Sequence, residues 1–425
     1  MAGFKRTAPW LTMAAAPPRA NGRALDDLLF LCHRIPYPPD KGDKIRSFAM
    51  LRHLSRSWRV HLGCFVDDPT DWQHVDALRR YCARLCCLPL VKSRATLRSA
   101  LGLWRGTSLG EAYFRDPVLA AWTGDVLRKV RPRAAFLYSS VMAQYLADAG
   151  PLRPDRVVMD FVDVDSDKWR QYAASARGPA RWLYRRESRR LLEAERRIAL
   201  WAEASVLVSP AEAELFRRLA PAAAGRIHAV SNGIDHAFFA PAPGLPDPFA
   251  PGERALVFTG AMDYRPNIDA VTWFAHDVFP SIRAAHAAAR FVVVGSNPAP
   301  EVRRLAGLPG LRVTGRVPDV RPYLAHAAVA VAPLRLARGL QNKVLEAMAM
   351  GCAVVTTPQG LEGIDAQPGR DLLVAATAPR LAEMAGGLLA DPKAARAMGE
   401  AARRRILEGY GWADKLAAVA GLLSG

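Results

Sequence analysis

The chain has 425 residues, of which 51% are hydrophobic and 23% charged, a globular composition that excludes a wholly disordered, collagen-like or coiled-coil protein. Its length fits two or three domains. Lysine and arginine outnumber aspartate and glutamate by 58 to 40, a net charge of +18. This excess favours an anionic partner, such as nucleic acid, a phosphate-rich substrate or a membrane surface.

The six cysteines form no CxxC pair and fit no zinc framework, so we expect reduced thiols in a cytosolic protein. Cys82, Cys86 and Cys87 are interpreted as a helix-to-strand junction, with a metal site as the alternative. No apolar run reaches the roughly 20 residues of a membrane span. Residues 1–24 are predicted to be a disordered extension.

Residues 25–240 alternate between predicted strands and helices. The first strand, 28–31, runs into a loop rich in proline that contains Gly42. The following elements are a helix at 45–56, a strand at 60–66, a helix at 68–84 and a strand at 85–90. Further strands end at Tyr138, Phe161, Val208 and Val230, and the longest helix is predicted over 179–203. This order indicates βαβ units and a parallel sheet.

A second domain is predicted over 253–408, after a linker at 241–252 with five prolines and two glycines in twelve residues. The alternation restarts there, with strands at 255–259, 291–294, 311–313, 329–332 and 353–355 separated by helices. The fold class is therefore α/β, with two Rossmann-like, doubly wound domains. We expect them to face one another across a cleft at the carboxyl ends of their strands. Residues 409–425 are predicted to form a helix that packs back toward the first domain.

Residues 338–351 carry the strongest chemical signal, because they follow a strand and open a helix. Gly339 lets the backbone approach a ligand closely. The free N–H groups of the first helical turn and the helix dipole favour a phosphate, and Lys343 adds a positive charge. Glu346 lies one turn further on, where its carboxylate can accept hydrogen bonds from two neighbouring hydroxyls, as in a ribose. The alternative is an amphipathic helix whose polar face carries these two residues.

Residues 258–267 form a second such junction of strand, glycine turn and helix. Gly260 occupies the turn and Arg265 follows it, where a guanidinium can neutralise a diphosphate. A solvated surface arginine is the alternative. A third segment, 230–235, holds an Asn-Gly turn just before the linker.

These three segments in this order resemble the retaining glycosyltransferases of family 4, which have the GT-B fold. The resemblance rests on SNGID with FFAP, FTGAMDYRPN, VTGRVPDVRPYL, GLQNKVLEAMAMGCAVVTT and the final Tyr410-Gly411-Trp412. The stretches HRIPYPPDKGDKIRSF and MDFVDVDSDKW are similar to a narrower subgroup, the sugar transferases of exosortase/PEP-CTERM exopolysaccharide systems.

The resemblance implies a nucleotide-diphosphate sugar donor bound mainly by the second domain, with no metal or other cofactor required. Glu346 would hold the ribose, and Gly42 would belong to a glycine loop over the donor phosphates. Two arginines would contact the donor, Arg265 at the diphosphate and Arg316 at the base or ribose. The diphosphate and sugar would be lined by Gly339, Leu340, Asn342 and Lys343.

The sequence departs from the family at two positions. Arg338 stands where the family has the first of two glutamates, the one that usually touches the donor sugar. An arginine there would suit an acidic sugar or bind the phosphate more strongly. Ala261 replaces the arginine usual after the domain-opening glycine, and Arg338 or Arg265 is our candidate for the missing charge.

The departing nucleoside diphosphate gains negative charge, which positive side chains and helix N–H groups stabilise. Retention would follow from front-face attack, with the leaving phosphate oxygen deprotonating the acceptor. Asp163 and Asp165, on the acceptor side, are candidate orienting or acid–base groups. The alternative is solvated loop carboxylates, with Asp165 or Ser166 capping the next helix.

Residues 177–197 contain eight arginines and three glutamates, together with Trp182 and Tyr184. Such a helix suits a membrane surface with anionic lipids and lipid-linked acceptors; a solvated outer helix is the alternative. We therefore expect a cytoplasmic enzyme, peripheral on the inner membrane, whose acceptor is lipid-linked or a growing exopolysaccharide.

Three other classes are less well supported. A nucleotide-sugar epimerase would share the fold but needs clustered acid–base carboxylates around the sugar, which the sequence does not place. A nucleic-acid binder is suggested by charge alone, and no such module is recognisable. A dehydrogenase would need the motif GxGxxG after a strand, with an acidic residue about 20 positions further on. No predicted strand of this sequence is followed by that pattern.

Overall fold

The computed structural model of the chain describes residues 25–39, 42–336 and 340–425. The predicted disordered extension at 1–24 and the predicted site residues Arg338 and Gly339 lie outside these ranges. The chain divides into two compact units. One ends at Ser231 and also includes Leu416–Gly425, and the other spans Asn232–Lys415.

The first unit is built on a parallel sheet of seven strands in the order β3-β2-β1-β4-β5-β6-β7. All residues of β4, and all but the first of β1, are buried, so both faces of the sheet are covered, as parallel sheets require. The strands are β1 Asp27–Cys32, β2 Arg59–Val66, β3 Arg84–Pro89, β4 Ala134–Tyr138, β5 Arg156–Val162, β6 Ala204–Leu207 and β7 Ile227–Ala229.

The helices of the first unit are α1 Gly42–Leu54, α2 Val75–Leu78, α3 Lys92–Arg105, α4 Leu109–Tyr113, α5 Pro117–Lys129, α6 Gln144–Ala147, α7 Asp165–Ser175, α8 Gly178–Trp201 and α9 Pro210–Leu219. The single helix predicted over 68–84 is wrong. Two 3-10 turns flank the short α2 there, and the Asp68 side chain accepts the N–H of Thr70, which caps the first of them. Helices α3 to α5 were not predicted, although Asp116 followed by Pro117 is a recognisable helix start.

The second unit repeats the plan with six parallel strands in the order β10-β9-β8-β11-β12-β13. They are β8 Arg254–Thr259, β9 Ala289–Val294, β10 Leu311–Gly315, β11 Val329–Ala332, β12 Val354–Thr356 and β13 Leu373–Val374. Its helices are α10 Arg265–Trp273, α11 Phe279–Ala285, α12 Pro300–Leu305, α13 Arg321–Ala325, α14 Asn342–Ala349, α15 Pro358–Leu361, α16 Ala378–Ala390, α17 Pro392–Gly409 and α18 Trp412–Ser424.

The predicted helix over 268–286 is interrupted by a π-helical segment, Phe274–Val278, between α10 and α11. Pro280 stands in the first turn of α11. Since proline has no N–H to continue the α-helical ladder, the wider π turn accommodates the change of hydrogen-bond pattern.

The units divide ahead of the predicted linker, between Ser231 and Asn232. Residues just after the division are bonded into the second unit, because the N–H of Ile234 donates to the Tyr410 carbonyl at 2.8 Å and Arg403 donates to the Phe239 carbonyl at 3.2 Å. Helix α18 begins in the second unit, but its residues from Leu416 onward group with the first unit. Among the described residues, no helix combines the length and the apolar character needed to cross a membrane.

Candidate functional site

In the second unit, the turn after β8 meets the start of α14. A Cβ placed on Gly260 would lie 2.7 Å from Asn267 Nδ2 and 3.5 Å from Lys343 Cε. Gly260 also has a φ of 155°, so a side chain there is excluded by space and disfavoured by backbone geometry. The glycine therefore lets Lys343 approach the end of β8, where its Nζ lies 5.7 Å from the centre of the Phe258 ring.

Loops after three neighbouring strands are hydrogen-bonded together at this sheet edge. The N–H of Gly260 donates to the Val294 carbonyl at 3.0 Å, and the N–H of Gly295 donates to the Gly315 carbonyl at 3.2 Å. Arg316 follows directly and is exposed. The predicted donor residues Gly260, Lys343 and Arg316 thus belong to one edge, at the carboxyl ends of parallel strands, where such sheets bind ligands.

Lys343 and Glu346 are a partly buried pair one turn apart on α14. Burial lowers the pKa of Lys343 to about 8, although the Glu346 charge opposes the change. Burial raises the pKa of Glu346 to about 7, and the Lys343 charge opposes that in turn. Lys343 Nζ donates to Gln341 Oε1 at 3.3 Å, and no direct ion pair joins Lys343 to Glu346 among the described residues. Both groups are desolvated without full compensation, as is common at functional sites.

Two buried amide oxygens beside this pair have no hydrogen-bond partner within the described part of the chain: Asn342 Oδ1 and Asn267 Oδ1. Asn342 is the first residue of α14, and its preceding residue, Gln341, makes no side-chain cap. Asn267 is held in place because its Nδ2 donates to the Ala261 carbonyl at 2.9 Å. Buried unpaired acceptors are costly, and a ligand with hydroxyl donors would satisfy them.

Arg265 and Leu340 are the remaining described candidates in this unit. Arg265 is the first residue of α10 and is exposed, and its side chain makes no hydrogen bond or ion pair inside the described ranges. Leu340 is partly buried and lies close to Gly363. A Cβ placed on Gly363 would be 3.8 Å from the backbone nitrogen of Leu340, an ordinary van der Waals contact.

In the first unit, Asp163 and Asp165 follow β5 and share Lys168. Lys168 Nζ lies 2.8 Å from Asp165 Oδ1 and 3.8 Å from Asp163 Oδ2. Burial lowers the pKa of Lys168, but the two carboxylates outweigh it and hold that pKa above its ordinary value. Burial raises the pKa of Asp163. The alternative of a capping role is wrong: Val164 is the N-cap of α7 and makes no side-chain cap.

Sequence reasoning missed a cluster beside these carboxylates. Arg34 Nη1 donates to Asp43 Oδ2 at 2.9 Å, and Arg34 Nε lies 3.2 Å from Asp67 Oδ2. His33 stacks on Tyr138 with ring centres 5.8 Å apart. Burial lowers the pKa of His33, while the charges of Asp43 and, more weakly, Asp165 oppose it. The sequence feature that indicates this cluster is the polar loop after the first strand, in which the prediction names only Gly42, the first residue of α1.

A fully buried ion pair holds this loop region to the sheet. Arg46 Nε donates to Asp160 Oδ2 at 2.8 Å, and Arg46 Nη1 donates to the Val230 carbonyl at 2.8 Å. Both side chains are 0% exposed. Arg46 thereby joins α1 to the end of β5 and to the segment after β7, and so positions the His33 and Asp163 clusters relative to the sheet.

Residues 253–391 match the family model described as Glycosyl transferases group 1. Alpha-maltose-1-phosphate synthase of Mycolicibacterium smegmatis is 30% identical over 210 residues, which are 44% of this chain and 54% of the relative. The chain therefore spans about half the length of the curated relative that it matches. The family match covers the α14 site and excludes the first unit.

Solved structures resemble the chain over nearly its whole length. Sucrose-phosphate synthase from Thermosynechococcus elongatus has a TM-score of 0.68 at 18% identity, covering 93% of this chain and 98% of its own. Anabaena HepE, in complex with UDP and glucose, has a TM-score of 0.66 at 13% identity, covering 94% and 99%. WaaG, a glycosyltransferase involved in lipopolysaccharide biosynthesis, has a TM-score of 0.66 at 16% identity, covering 94% and 100%. These likenesses confirm the predicted two-domain α/β GT-B fold class.

Proposed function

We propose that the protein is a retaining glycosyltransferase that moves a sugar from a nucleotide-diphosphate donor to an acceptor. The observation that carries the proposal is the pair of partly desolvated, oppositely charged groups at the start of α14, Lys343 and Glu346, inside the family match. The group 1 match and the GT-B neighbours, among them WaaG, a glycosyltransferase by name, support a glycosyltransferase family.

The donor would fit the polar groups at this site that have no hydrogen-bond partner within the described residues. Lys343 and the uncapped N–H groups of α14 would hold the diphosphate. Glu346 would accept from the ribose hydroxyls, and the buried Asn342 oxygen would accept from a sugar or ribose hydroxyl. Arg265, exposed at the start of α10, would approach the diphosphate, and Arg316 the base or ribose.

In the reaction, the bond from the anomeric carbon to the diphosphate oxygen breaks and a bond to the acceptor oxygen forms on the same face. The leaving diphosphate takes the acceptor proton, so the products are a glycoside and a nucleoside diphosphate. Lys343 and Arg265 would stabilise the charge that grows on the leaving group, in place of a metal ion. Loss of one such donor typically costs about 10²- to 10³-fold in rate. Asp163 and Asp165 would orient the acceptor.

The acceptor would be a lipid-linked or growing exopolysaccharide, presented at the inner membrane of a PEP-CTERM type system. The support is the sequence resemblance and the basic helix α8. Of the three glutamates in 177–197, Glu187 and Glu195 are buried, whereas Glu193 is paired with Arg190 at 3.0 Å. The exposed face of α8 is therefore more cationic than the sequence count suggests, which suits an anionic lipid surface.

Thermal-shift measurements with UDP, GDP, ADP and dTDP, in the presence of EDTA, test the proposal. We expect one nucleotide to raise the melting temperature of the wild type, since a ligand stabilises the state it binds. Lys343→Ala should lose that shift, whereas Lys393→Ala, at an exposed lysine on α17, should keep it. No shift with any nucleotide, or equal shifts in both variants, would refute the donor site.

A further inference from the structure

The first unit exposes apolar side chains next to the cationic helix α8, on a helix that was not predicted from the sequence. Leu97 and Leu101 of α3 are 64% and 51% exposed, and Trp182 of α8 is 62% exposed. Leu97 and Leu101 are four residues apart, so they lie on one face of the helix. Arg94, also exposed, lies three residues before Leu97 and so on the same face.

Helix α3 is fixed to the first unit by its opposite face. Ala95 is buried, the Ser99 hydroxyl donates to the Leu109 carbonyl at 2.9 Å, and Arg98 donates to the Tyr113 carbonyl at 3.1 Å. With that face anchored to α4, Leu97 and Leu101 point away from it. The two leucines are therefore exposed although α3 is packed and hydrogen-bonded against the first unit.

The end of α3 is bound by α8. Arg186 Nη2 donates to the carbonyls of Gly102, Leu103 and Thr107 at 3.3, 3.0 and 3.2 Å. A basic side chain of α8 thus satisfies carbonyls that the end of α3 leaves free. The C-terminal end of α3, within one turn of Leu101, is therefore held against α8 within the first unit.

The exposed face of α8 carries a row of arginines, at positions 177, 181, 185 and 189, spaced by four residues. Within the described ranges, none of these four side chains makes a hydrogen bond or an ion pair. Trp182 lies among them, and indole rings favour the boundary between lipid headgroups and acyl chains. An unpaired cationic row beside exposed leucines and a tryptophan matches an anionic bilayer, whereas a nucleic acid would satisfy the arginines and leave the leucines in water.

We propose that α3 and α8 form a two-part docking surface for an anionic lipid bilayer, with the α8 arginines at the headgroups and Leu97, Leu101 and Trp182 inserted below them. This inference rests on the membrane role of α8 in the proposed function and adds α3 as the inserting element. It follows that binding has an apolar component that salt does not screen.

Co-sedimentation with phosphatidylcholine vesicles, with and without phosphatidylglycerol, tests the surface. We expect the wild type to bind the phosphatidylglycerol vesicles. The double change Leu97→Ser with Leu101→Ser should weaken binding about 10-fold, at low and high salt alike. Arg185→Glu with Arg189→Glu should weaken it at least about 30-fold at low salt, and less as salt rises.

Matched variants in the second unit serve as controls. Leu407→Ser removes another exposed leucine, and Arg396→Glu with Arg404→Glu makes the same change of net charge. Both should bind vesicles as the wild type does. Tryptophan fluorescence provides an independent readout. Vesicles that contain brominated lipid should quench the fluorescence of the wild type more than that of Trp182→Phe.

Unchanged binding by the serine variant, or equal quenching of the wild type and Trp182→Phe, would overturn the inference. Binding of duplex DNA as tightly as of the vesicles, untouched by the serine changes, would also overturn it and indicate a polyanion surface. The nucleotide thermal shift is measured on every variant. If the vesicle experiments fail but nucleotide still raises the melting temperature, only the docking surface is refuted and the proposed donor site is retained. If nucleotide does not raise the melting temperature of the wild type, the proposed function itself is refuted.

Discussion

Replacing Glu346 with glutamine should stabilise the fold at alkaline pH while it weakens donor binding. The pKa of Glu346 is about 7, against 4.5 for a free glutamate. A raised carboxyl pKa means that the folded chain holds the proton more tightly than the unfolded chain. The ionised side chain therefore destabilises the fold, by an amount that grows as the pH rises from 4.5 toward 7 and then levels off.

The magnitude follows from the two pKa values. Each pKa step is worth about 1.4 kcal/mol, so the full difference approaches about 3 kcal/mol above neutral pH. Ionised Glu346 also stabilises the charge on Lys343, and this opposes part of the gain. We expect Glu346→Gln to gain about 2 kcal/mol relative to the wild type between about pH 5 and about pH 8, or roughly 4 to 8 °C in the melting temperature of a unit this size.

Calorimetric melting of both proteins at the two pH values, with Glu400→Gln at an exposed site of α17 as control, measures the effect. The glutamine variant should also lose most of the melting-temperature shift given by the nucleotide. A melting-temperature difference that is the same at both pH values would show that Glu346 ionises freely in the folded chain, and the argument for a desolvated ribose-binding carboxylate would fail.

Three further outcomes can be measured. Arg46→Met should destabilise the first unit by about 3 to 5 kcal/mol in denaturant, because Asp160 is left charged and buried, whereas Arg380→Met at an exposed pair should cost less than about 1 kcal/mol; equal costs would contradict the role of the pair. Nucleotide affinity measured by calorimetry should fall as the pH rises through about 8, where Lys343 loses its proton, and Lys343→Arg should flatten that dependence; a wild-type affinity independent of pH would exclude a phosphate contact from this lysine. Burial raises the pKa of Glu195 to about 8, so its cost to stability grows between pH 4.5 and 8, and Glu195→Gln should gain stability over that range; a parallel pH profile would refute it.

The sequence predicted the two α/β units because parallel strands buried on both faces read as short apolar runs, such as those of β1, β4 and β9. It also predicted the two strand-to-helix junctions that hold Gly260 and Lys343, since a glycine turn before a helix is a local signal. The proximity of these two residues was not predicted. What it could not supply were long-range pairings. Nothing near Arg46 in the chain indicates Asp160 or the Val230 carbonyl, because these partners meet only when the parallel sheet has formed.

Helix α3 was missed for a related reason, whereas α5 carries an ordinary apolar stripe, with Leu119, Trp122 and Val126 buried, that the sequence does display. The buried face of α3 is made of small and polar residues such as Ala95 and Ser99, and its leucines point outward, so the usual apolar stripe is reversed. The π segment in α10 to α11 likewise depends on one proline in an otherwise regular helical pattern. The first failure comes from tertiary contacts that reverse a local period, and the second from a single residue that interrupts one.

The chain returns to the first unit at its very end, since Leu416–Gly425 group with residues up to Ser231. A ribosome emits the whole of Asn232–Lys415 before it emits this last piece. Domains generally fold as units, and in the order of synthesis, yet here ten residues that group with the earlier unit are made after the whole of the later one. Cutting the gene at the domain boundary would therefore yield an intact second unit and a first unit that lacks part of itself.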